Sequence, residues 1–471
     1  QPVERAKAKH DGLRQGSSPG NAPHLQHLLV DVDQDRVPGR RRGQQKGDQG
    51  KGGQHLDEQQ PWTAPCPSDE RAGYALGQPR LADGQSQGQD AFLTQDILGQ
   101  GADAVSIVAQ GQQGPIQGFF MVGTYDLKNL DGIGGTLHES NQLYFPLARQ
   151  KGTTEATLLF ILNVKEEGDP AVRIRLFDQS GTLLRETTLP IAAFGSIVGT
   201  LDEIYNDPGL ECEECFVEVT TNVVPVSGFL FYSQQKNFSS MTAQLGINTH
   251  LLRVPHLFAN AGDGDTEIRI LNTGCNKATV EIMAYDDLSN ELGAASFEIE
   301  PMELFVASAK TLLNLQPVGD LAISGHLEVH ASGGTVGIFE QAATLVGVVS
   351  FTGNNGKSRS TLPMIKDGQK ETLLLQVAQS VEWRMFTGLS ILVPGNNPAV
   401  VTIQAYSEDG VLTAQQTVTI AAGNRLARLL ADDDLFGVGF EQVKGHLKIV
   451  SDEPVMVFAL FGDYLSEFLA A

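Results

Sequence analysis

Apolar and polar residues alternate along most of the chain after residue 100, and the alternation recurs with a period of about 109 residues. An apolar residue followed by proline opens each of three blocks, at Phe145-Pro146, Val254-Pro255 and Leu362-Pro363. In a strand, successive side chains point to opposite faces, so a period of two predicts a strand with one buried face. The chain is therefore predicted to repeat one β-structured unit.

Within each block, a stretch of strict alternation ends in a turn signal. With their turns, these stretches cover residues 172–181, 280–290 and 401–410, and they finish at Gly181, Asn290 and Gly410. Gly and Asn tolerate the positive φ that hairpin turns require, so the pattern predicts antiparallel strand pairs. A helical spacing never extends beyond about two turns.

Block length and strand content together define the predicted fold class. A unit of about 109 residues can bury its own core, and seven or so short strands are typical of a β-sandwich. The prediction is an all-β chain of tandem antiparallel β-sandwich repeats. Its predicted units are a low-complexity segment at 1–100, the C-terminal half of a truncated repeat at 101–140, and sandwiches at 141–249, 250–359 and 360–471, the last with an insertion.

The first hundred residues differ in composition from the blocks. They are rich in Gln, Gly, Asp and Arg and lack alternating apolar runs. Such a segment cannot offset its ordering entropy by burial, which predicts disorder. A natural linker and a mistranslated or misassembled stretch both stay open as explanations. Because the first residue is Gln rather than Met, we expect the sequence to be a fragment or a processed product.

Charge narrows the classes of partner. The formal net charge of −23 argues against nucleic acid, because phosphate binding needs clustered Lys and Arg. No apolar run reaches the length of a membrane-spanning helix. A signal peptide is not visible, so an extracellular or cell-surface location is expected from architecture alone.

Cys212 and Cys215 are the most suggestive local pair. Two thiolates at this spacing can form a local disulfide, half of a zinc site, or a redox pair. A zinc site needs further ligands, and redox pairs of this spacing normally begin a helix. The pair precedes a predicted strand, so a disulfide that tightens the chain there is expected, with inert thiols and metal binding as alternatives.

Calcium is the only cofactor for which the sequence offers a candidate. Asp263, Asp265 and Glu267 place three carboxylates in and after a Gly-Asp turn, and clustered oxygens suit Ca²⁺. A plain acidic turn is the alternative.

A His-x-Glu-x-His run, His326 to His330, is expected on the solvated face of a strand, because its two histidines lie too far apart to share one metal ion.

A search for catalytic motifs finds no nucleophile elbow, zinc-protease motif or dinucleotide fingerprint, which predicts a protein that is not an enzyme.

Trp383 is the candidate ligand-binding residue. It lies in extra sequence of the third block, and exposed Trp often stacks on sugar rings. Packing of Trp383 as a core cap is the alternative.

The repeats resemble the tandem immunoglobulin-like or fibronectin-III-like sandwiches of secreted and surface-associated bacterial proteins. The resemblance covers about residues 101–471 and depends on block length, strand count and the Pro, Asn and Gly punctuation. It implies a stalk, spacer or adhesive array at the cell surface, with protein or polysaccharide as partner. A carbohydrate-binding module centred on the third repeat and the accessory region of a larger secreted enzyme are the alternatives.

Overall fold

The structure is a computed structural model. It describes residues 29–30, 118–123, 130–134, 138–152, 155–234, 237–262, 264–317, 321–336, 339–353, 358–463 and 469–470. These residues form antiparallel sheets, with two helices of four residues each and one short parallel pairing among them. The predicted fold class, tandem antiparallel β-sandwiches, is confirmed.

A small sheet precedes the sandwiches. It contains β1 (Leu29–Val30), β2 (Phe119–Gly123) and β3 (Leu130–Gly134). β2 and β3 are antiparallel, and β1 lies parallel to β2. Apart from β1, residues 1–117 lie outside the described residues, and with them the segment predicted to be disordered and the start of the truncated repeat.

The first sandwich contains eight strands and one helical turn. They are β4 (Gln142–Lys151), β5 (Glu155–Leu162), β6 (Asp169–Asp178), β7 (Leu183–Ile191), β8 (Ser196–Thr200), α1 (Leu201–Ile204), β9 (Glu211–Thr220), β10 (Ser227–Gln234) and β11 (Asn237–Thr242). One layer has the order β4-β9-β6-β7 and the other β8-β5-β10-β11. The layers are joined at the β4–β5 hairpin, where only Lys151 and Glu155 pair.

The second sandwich repeats this plan. Its elements are β12 (Ile247–Thr249), β13 (Leu251–Ala259), β14 (Asp265–Asn272), β15 (Ala278–Tyr285), β16 (Glu291–Ile299), β17 (Leu304–Ser308), α2 (Ala309–Leu312), β18 (Ile323–Ser332), β19 (Thr335–Val336), β20 (Phe339–Glu340), β21 (Ala343–Gly353) and β22 (Ser358–Pro363). The layers are β13-β18-β15-β16 and β17-β14-β21, with β12 and β22 along β21. Strand pairing therefore extends this sandwich to 247–363, beyond the predicted 250–359.

The third sandwich uses one long strand in both layers. Its strands are β23 (Gln369–Leu374), β24 (Met385–Leu392), β25 (Ala399–Tyr406), β26 (Leu412–Ile420), β27 (Arg425–Leu429), β28 (His446–Asp463) and β29 (Leu469–Ala470). The first half of β28 pairs with β23 and β25, and the second half with β24 and β29. This strand replaces the separate sixth and seventh strands of the other two sandwiches.

Alternation accounts for the cores. On β6, Val172, Ile174 and Leu176 are fully buried while Arg173 between them is exposed. The third strand of the next two sandwiches buries its equivalent apolar positions in separate clusters. The turn after each of these strands has a residue with positive φ, at Gly181, Ser289 and Gly410. The period-two pattern was therefore a sound guide to the inward faces.

The strand order distinguishes these sandwiches from the immunoglobulin constant domain. In that domain the first strand pairs with the second, and the last strand pairs with the sixth. Here the first strand, β4 or β13, pairs along its length with the sixth, β9 or β18. The last strand, β10 or β21, pairs with the second. The resemblance stated above is thus one of architecture, not of strand order.

The apolar-proline signal marks the first strand in only two blocks. Pro146 and Pro255 lie at irregularities in β4 and β13, where the pairing register shifts and a missing N–H is tolerated. Pro363 instead ends β22 of the second sandwich. By register, Leu374 of β23 is the counterpart of Phe145 and Val254, so Leu375 stands where the other blocks have proline. The prediction that Leu362-Pro363 opens the third block was wrong, because that proline ends a strand of the second sandwich. The predicted insertion was wrong as well, because Leu392 follows Leu375 by 17 residues, nearly the 16 that separate Leu162 from Pro146.

Candidate functional site: the joints between sandwiches

A disulfide joins Cys212 and Cys215. Both residues lie within β9 and are buried, with 7% and 2% exposure. Their Cα atoms are 6.1 Å apart, whereas residues three apart in a straight strand are separated by about 10 Å. The strand therefore bends here, and its pairing with β4 shifts register opposite the bend. Glu213 and Glu214 occupy the bend.

The carboxylates predicted to bind calcium have separate partners. Asp263 lies outside the described residues. Asp265 accepts hydrogen bonds from the Ser308 hydroxyl and from the backbone N–H of Lys310, at 3.1 Å. Glu267 points into a group of arginines described below. Within the described part of the chain, no three His, Cys, Asp or Glu side chains are placed to hold a metal ion. The calcium interpretation stays a prediction.

Trp383 lies in a turn between β23 and β24 and is 39% exposed. The ends of this turn are held by Ser380 and Met385, whose backbone groups exchange hydrogen bonds of 2.9 Å. Val381 beside it is 73% exposed. The side chain is thus accessible at one end of the third sandwich.

His326 does not lie on a solvated face, so that prediction was wrong. It is 3% exposed and stacks on Tyr285, with ring centroids 5.3 Å apart. Glu328 does pair with its neighbours: it accepts from Arg253 at 2.7 Å and lies 3.2 Å from His330. The equivalent His446 of the third sandwich is also buried, at 7% exposure, and stacks on Tyr406 at 5.2 Å, so the burial of this histidine is a feature of each sandwich.

Both joints between consecutive sandwiches use the same backbone carbonyls. The Pro146 carbonyl accepts a hydrogen bond from Arg269 Nη1 at 3.4 Å, and the Pro255 carbonyl accepts one from Ser390 Oγ at 2.5 Å. Arg269 and Ser390 occupy equivalent positions, two residues before Leu271 of β14 and Leu392 of β24. The proline bulge therefore presents a carbonyl to the next sandwich.

A second repeated contact links the turn after the third strand to the next sandwich. The carbonyl of Gln179 accepts from the backbone N–H of Leu304 at 2.9 Å. The carbonyl of Asp287, its counterpart, accepts from the N–H of Arg425 at 3.1 Å. These two bonds add a fixed point on the other side of each joint.

Apolar contacts complete the common frame. Val348 on β21 belongs to the core cluster of the first sandwich, and Phe458 on β28 to that of the second. The two are equivalent, because Val348 pairs with Arg269 and Phe458 with Ser390. The second and third sandwiches therefore each extend one side chain into the core of the sandwich before them.

The joint between the first two sandwiches is filled by charged side chains. The Arg269 side chain is fully buried and donates to Glu214 and, at 2.7 Å, to Glu267. Arg359 donates to Glu267 at 3.1 Å. Arg149 of β4 donates to Glu214 and lies 3.6 Å from Glu267. Three guanidinium groups thus share two carboxylates across the joint, and we call this set the arginine network.

An aromatic ring flanks the arginine network. The guanidinium carbons of Arg149 and Arg359 lie 5.8 and 5.6 Å from the ring centre of Tyr232. The Tyr232 hydroxyl donates to Glu155 at 3.0 Å. Burial alone would raise the pKa of Glu267, but the three guanidinium groups hold that pKa well below its ordinary value. Glu267 is therefore ionised at every physiological pH.

The joint between the second and third sandwiches depends on one buried arginine. Arg425 Nε and Nη2 donate to Asp287 Oδ1 at 2.9 and 2.6 Å, and Nη2 also donates to Ser324 Oγ at 2.6 Å. Nη1 donates to the carbonyl of Gly325 and to His256 Nδ1, the latter at 2.9 Å. Because arginine has no acceptor, His256 must be neutral with its proton on Nε2.

The two histidines of this joint are held neutral. Burial, reinforced by the charge of Arg425, lowers the pKa of His256 to about 3 and that of His326 to about 4. His256 lies between two aromatic rings, with centroids 5.2 Å from Phe351 and 5.6 Å from Phe458. No carboxylate accepts a hydrogen bond from either imidazole among the described contacts.

In both joints, one equivalent position of the sixth strand contacts an arginine of the following sandwich. Glu214 lies two residues before Phe216, the partner of Phe177, and Ser324 lies two residues before His326, the partner of the equivalent Tyr285. Each accepts a hydrogen bond from an arginine of the next sandwich. In the third sandwich Lys444 occupies this position and pairs with Glu408 at 2.8 Å. The positive charge of Lys444 would attract a carboxylate at this position and would repel an arginine.

The residues of the joints were not identified from the sequence. Arg269 alternates with Ile268 and Ile270, so the pattern alone places it on the solvent face. That face becomes buried only because another sandwich covers it. The sequence feature that could have indicated the joint is an arginine, Arg269, in the second strand of a tandem repeat.

A scan against family models and searches of curated proteins and of solved structures found no match. Among the described residues there is no helix long and apolar enough to cross a membrane.

Proposed function

We propose that the chain is a non-enzymatic array of sandwich modules that acts as a spacer and interaction scaffold, extracellularly or at the cell surface. The observation that carries the proposal is the buried joint. Each joint combines two equivalent backbone carbonyls that accept hydrogen bonds from the next sandwich, one apolar side chain inserted into the preceding core, and a fully buried arginine. Such a joint fixes the orientation of neighbouring modules, which is what a spacer requires.

Distances between modules in solution test the proposal. Dyes attached to non-natural side chains at the exposed positions Leu183, Glu281 and Val400 report each joint separately. A fixed array gives one narrow distance per pair, whereas flexibly linked modules give broad distributions and overturn the proposal. Arg425→Met should broaden the distance across the second joint only.

Arg173→Met is the matched control for that variant. Arg173 is on the exposed face of β6, and its Nε lies 3.9 Å from Glu186. Loss of this exposed arginine should leave both distances narrow. The proposed location is tested separately, with an antibody to the chain applied to intact and to lysed source cells. Labelling only after lysis would contradict a surface location.

Carbohydrate binding at the third sandwich is the second candidate. The observation in its favour is that Trp383 is exposed in a turn held by backbone hydrogen bonds, beside the exposed Val381. An exposed indole can stack on a sugar ring. Retention on insoluble polysaccharides should be lost in Trp383→Ala and largely kept in Trp383→Phe. If the unchanged chain binds no polysaccharide in the panel, this candidate fails.

The interpretation as an accessory region of a larger secreted enzyme stays a prediction, because its test is the sequence that flanks this chain in its gene. An adjoining catalytic module would support it.

A further inference from the structure

We propose that the Cys212–Cys215 disulfide is a redox-sensitive latch for the joint between the first and second sandwiches. The inference rests on the proposed function, because a latch matters only if the joint is otherwise fixed. Its starting point is the place of Glu214, which lies between the two cysteines in the bend of β9.

The bend decides where the Glu214 carboxylate points. In a straight strand, residues 212 and 215 would have side chains on opposite faces. The covalent bond brings both into the core of the first sandwich, and the two residues between them are turned outward. Glu213 then meets Lys151 at 2.9 Å on the surface, and Glu214 meets Arg149 and Arg269 in the joint.

The other sandwiches show that this strand does not need a crosslink to form. By register with the first strand, Cys212 and Cys215 face Gln150 and Ala148, whereas in the second sandwich Ile323 and Gly325 face the equivalent Ala259 and Leu257. The sixth strands of the second and third sandwiches thus form without a crosslink, and that of the second has one residue fewer at this place. Their counterparts of Glu214 are Ser324 and Lys444. The crosslink thus occurs in the one sandwich whose sixth strand holds a carboxylate against a buried arginine of its neighbour.

Withdrawal of Glu214 would unbalance the arginine network. The Arg269 side chain has no exposed surface, and its other acceptors are Glu267 and, weakly at 3.4 Å, the Pro146 carbonyl. Glu267 is already shared with Arg149 and Arg359. Without Glu214, three guanidinium groups would face one carboxylate, and the joint would open to hydrate them.

The switching step is reduction by a dithiol. The dithiol is oxidised to its cyclic disulfide, and the Cys212–Cys215 bond breaks as each sulfur gains one electron and one proton. Both thiols are then free to relax toward the straight-strand arrangement, which no longer fixes Glu214. The reverse reaction with an oxidised dithiol restores the bond and the joint.

The dye pair at Leu183 and Glu281 tests the latch in the full chain. The oxidised chain should show one narrow distance, and dithiol treatment should broaden it reversibly while both cysteines become open to alkylation. The double variant Cys212→Ser/Cys215→Ser should be broad from the start and should not respond to dithiol. This insensitivity also excludes an effect through the disulfide of Cys275.

Glu214→Gln supplies a second variant in case the double variant fails to fold. It keeps the disulfide, so its distance should be broad in oxidised and reduced chains alike. A distance that stays narrow after alkylation of both cysteines overturns the latch and leaves the spacer proposal standing. Cysteines that resist dithiol in the folded chain overturn it as well. A distance that is already broad in the oxidised chain contradicts the spacer proposal itself.

Discussion

The first joint and the second joint share a backbone frame but differ in side-chain chemistry. In both, a carbonyl from the first strand and a carbonyl from the turn after the third strand accept hydrogen bonds from the next sandwich. The first joint then adds three arginines and two glutamates, while the second adds one arginine, one aspartate and two neutral histidines. The repeated carbonyl contacts set how the modules stack, and the variable side chains determine which change of conditions destabilises each joint.

The largest difference should come from removing one charge from the first joint. Glu267 faces three guanidinium groups, so Glu267→Gln leaves them with Glu214 alone while conserving shape. Removal of one partner from a buried ion pair typically costs about 3–5 kcal/mol. We expect a loss of that order in the free energy of unfolding reported by the first two sandwiches, measured by denaturant titration of the full chain.

Glu186→Gln is the matched control, because this glutamate is 41% exposed and has an arginine neighbour of similar exposure. Exposed pairs contribute about 0–1 kcal/mol, so the control should unfold like the parent chain. Equal stability of the two variants would show that the arginine network does not hold the joint together.

Acid should open the second joint before the first. The folded-state pKa values of His256 and His326 are about 3 and about 4, below the ordinary 6.5. The folded state therefore binds fewer protons, and the stability that depends on neutral imidazoles is complete above pH 6.5 and lost progressively as the pH falls toward 3. For His256 the loss at pH 4 is about 3 kcal/mol. Glu267 stays ionised over this range, which protects the first joint.

Dye pairs across the two joints, followed from pH 7 to pH 4, measure this order of opening. In His256→Gln an amide oxygen can accept from Arg425 without titrating, so the second joint should become less sensitive to acid. An unchanged acid response in that variant would locate the sensitivity elsewhere. Opening of the first joint at a higher pH than the second would contradict the comparison.

The sandwich fold and its core residues were largely predictable from the sequence, whereas the contacts of the joints were not. Inward residues such as Ile174 and Val401 follow from period two, because alternation is a local property of one strand. The partner of an outward face depends on another module. Arg269 therefore looked like a solvated residue. His326 was assigned to the wrong environment for another reason, because it stacks on Tyr285 of the neighbouring strand, a contact that the alternation within its own strand does not show. Pro363 shows the same limit, because a single proline is compatible with several edge positions.

The smallest expected effect tests whether the carbonyl contacts shared by the two joints contribute to stability. Ser390 is 3% exposed, and its hydroxyl donates to the Pro255 carbonyl at 2.5 Å in the second joint. Ser390→Ala removes that donor and leaves the carbonyl unpaired, which costs about 1–3 kcal/mol for a buried group. We expect a loss near 1 kcal/mol, because the other contacts of the joint remain. Thr417→Val, on an exposed strand face where the hydroxyl pairs only with Thr402, is the control and should change stability less. If the two variants lose equal stability, the proline carbonyl is incidental to the joint, and the arginine and apolar contacts alone set the stacking of the second and third sandwiches.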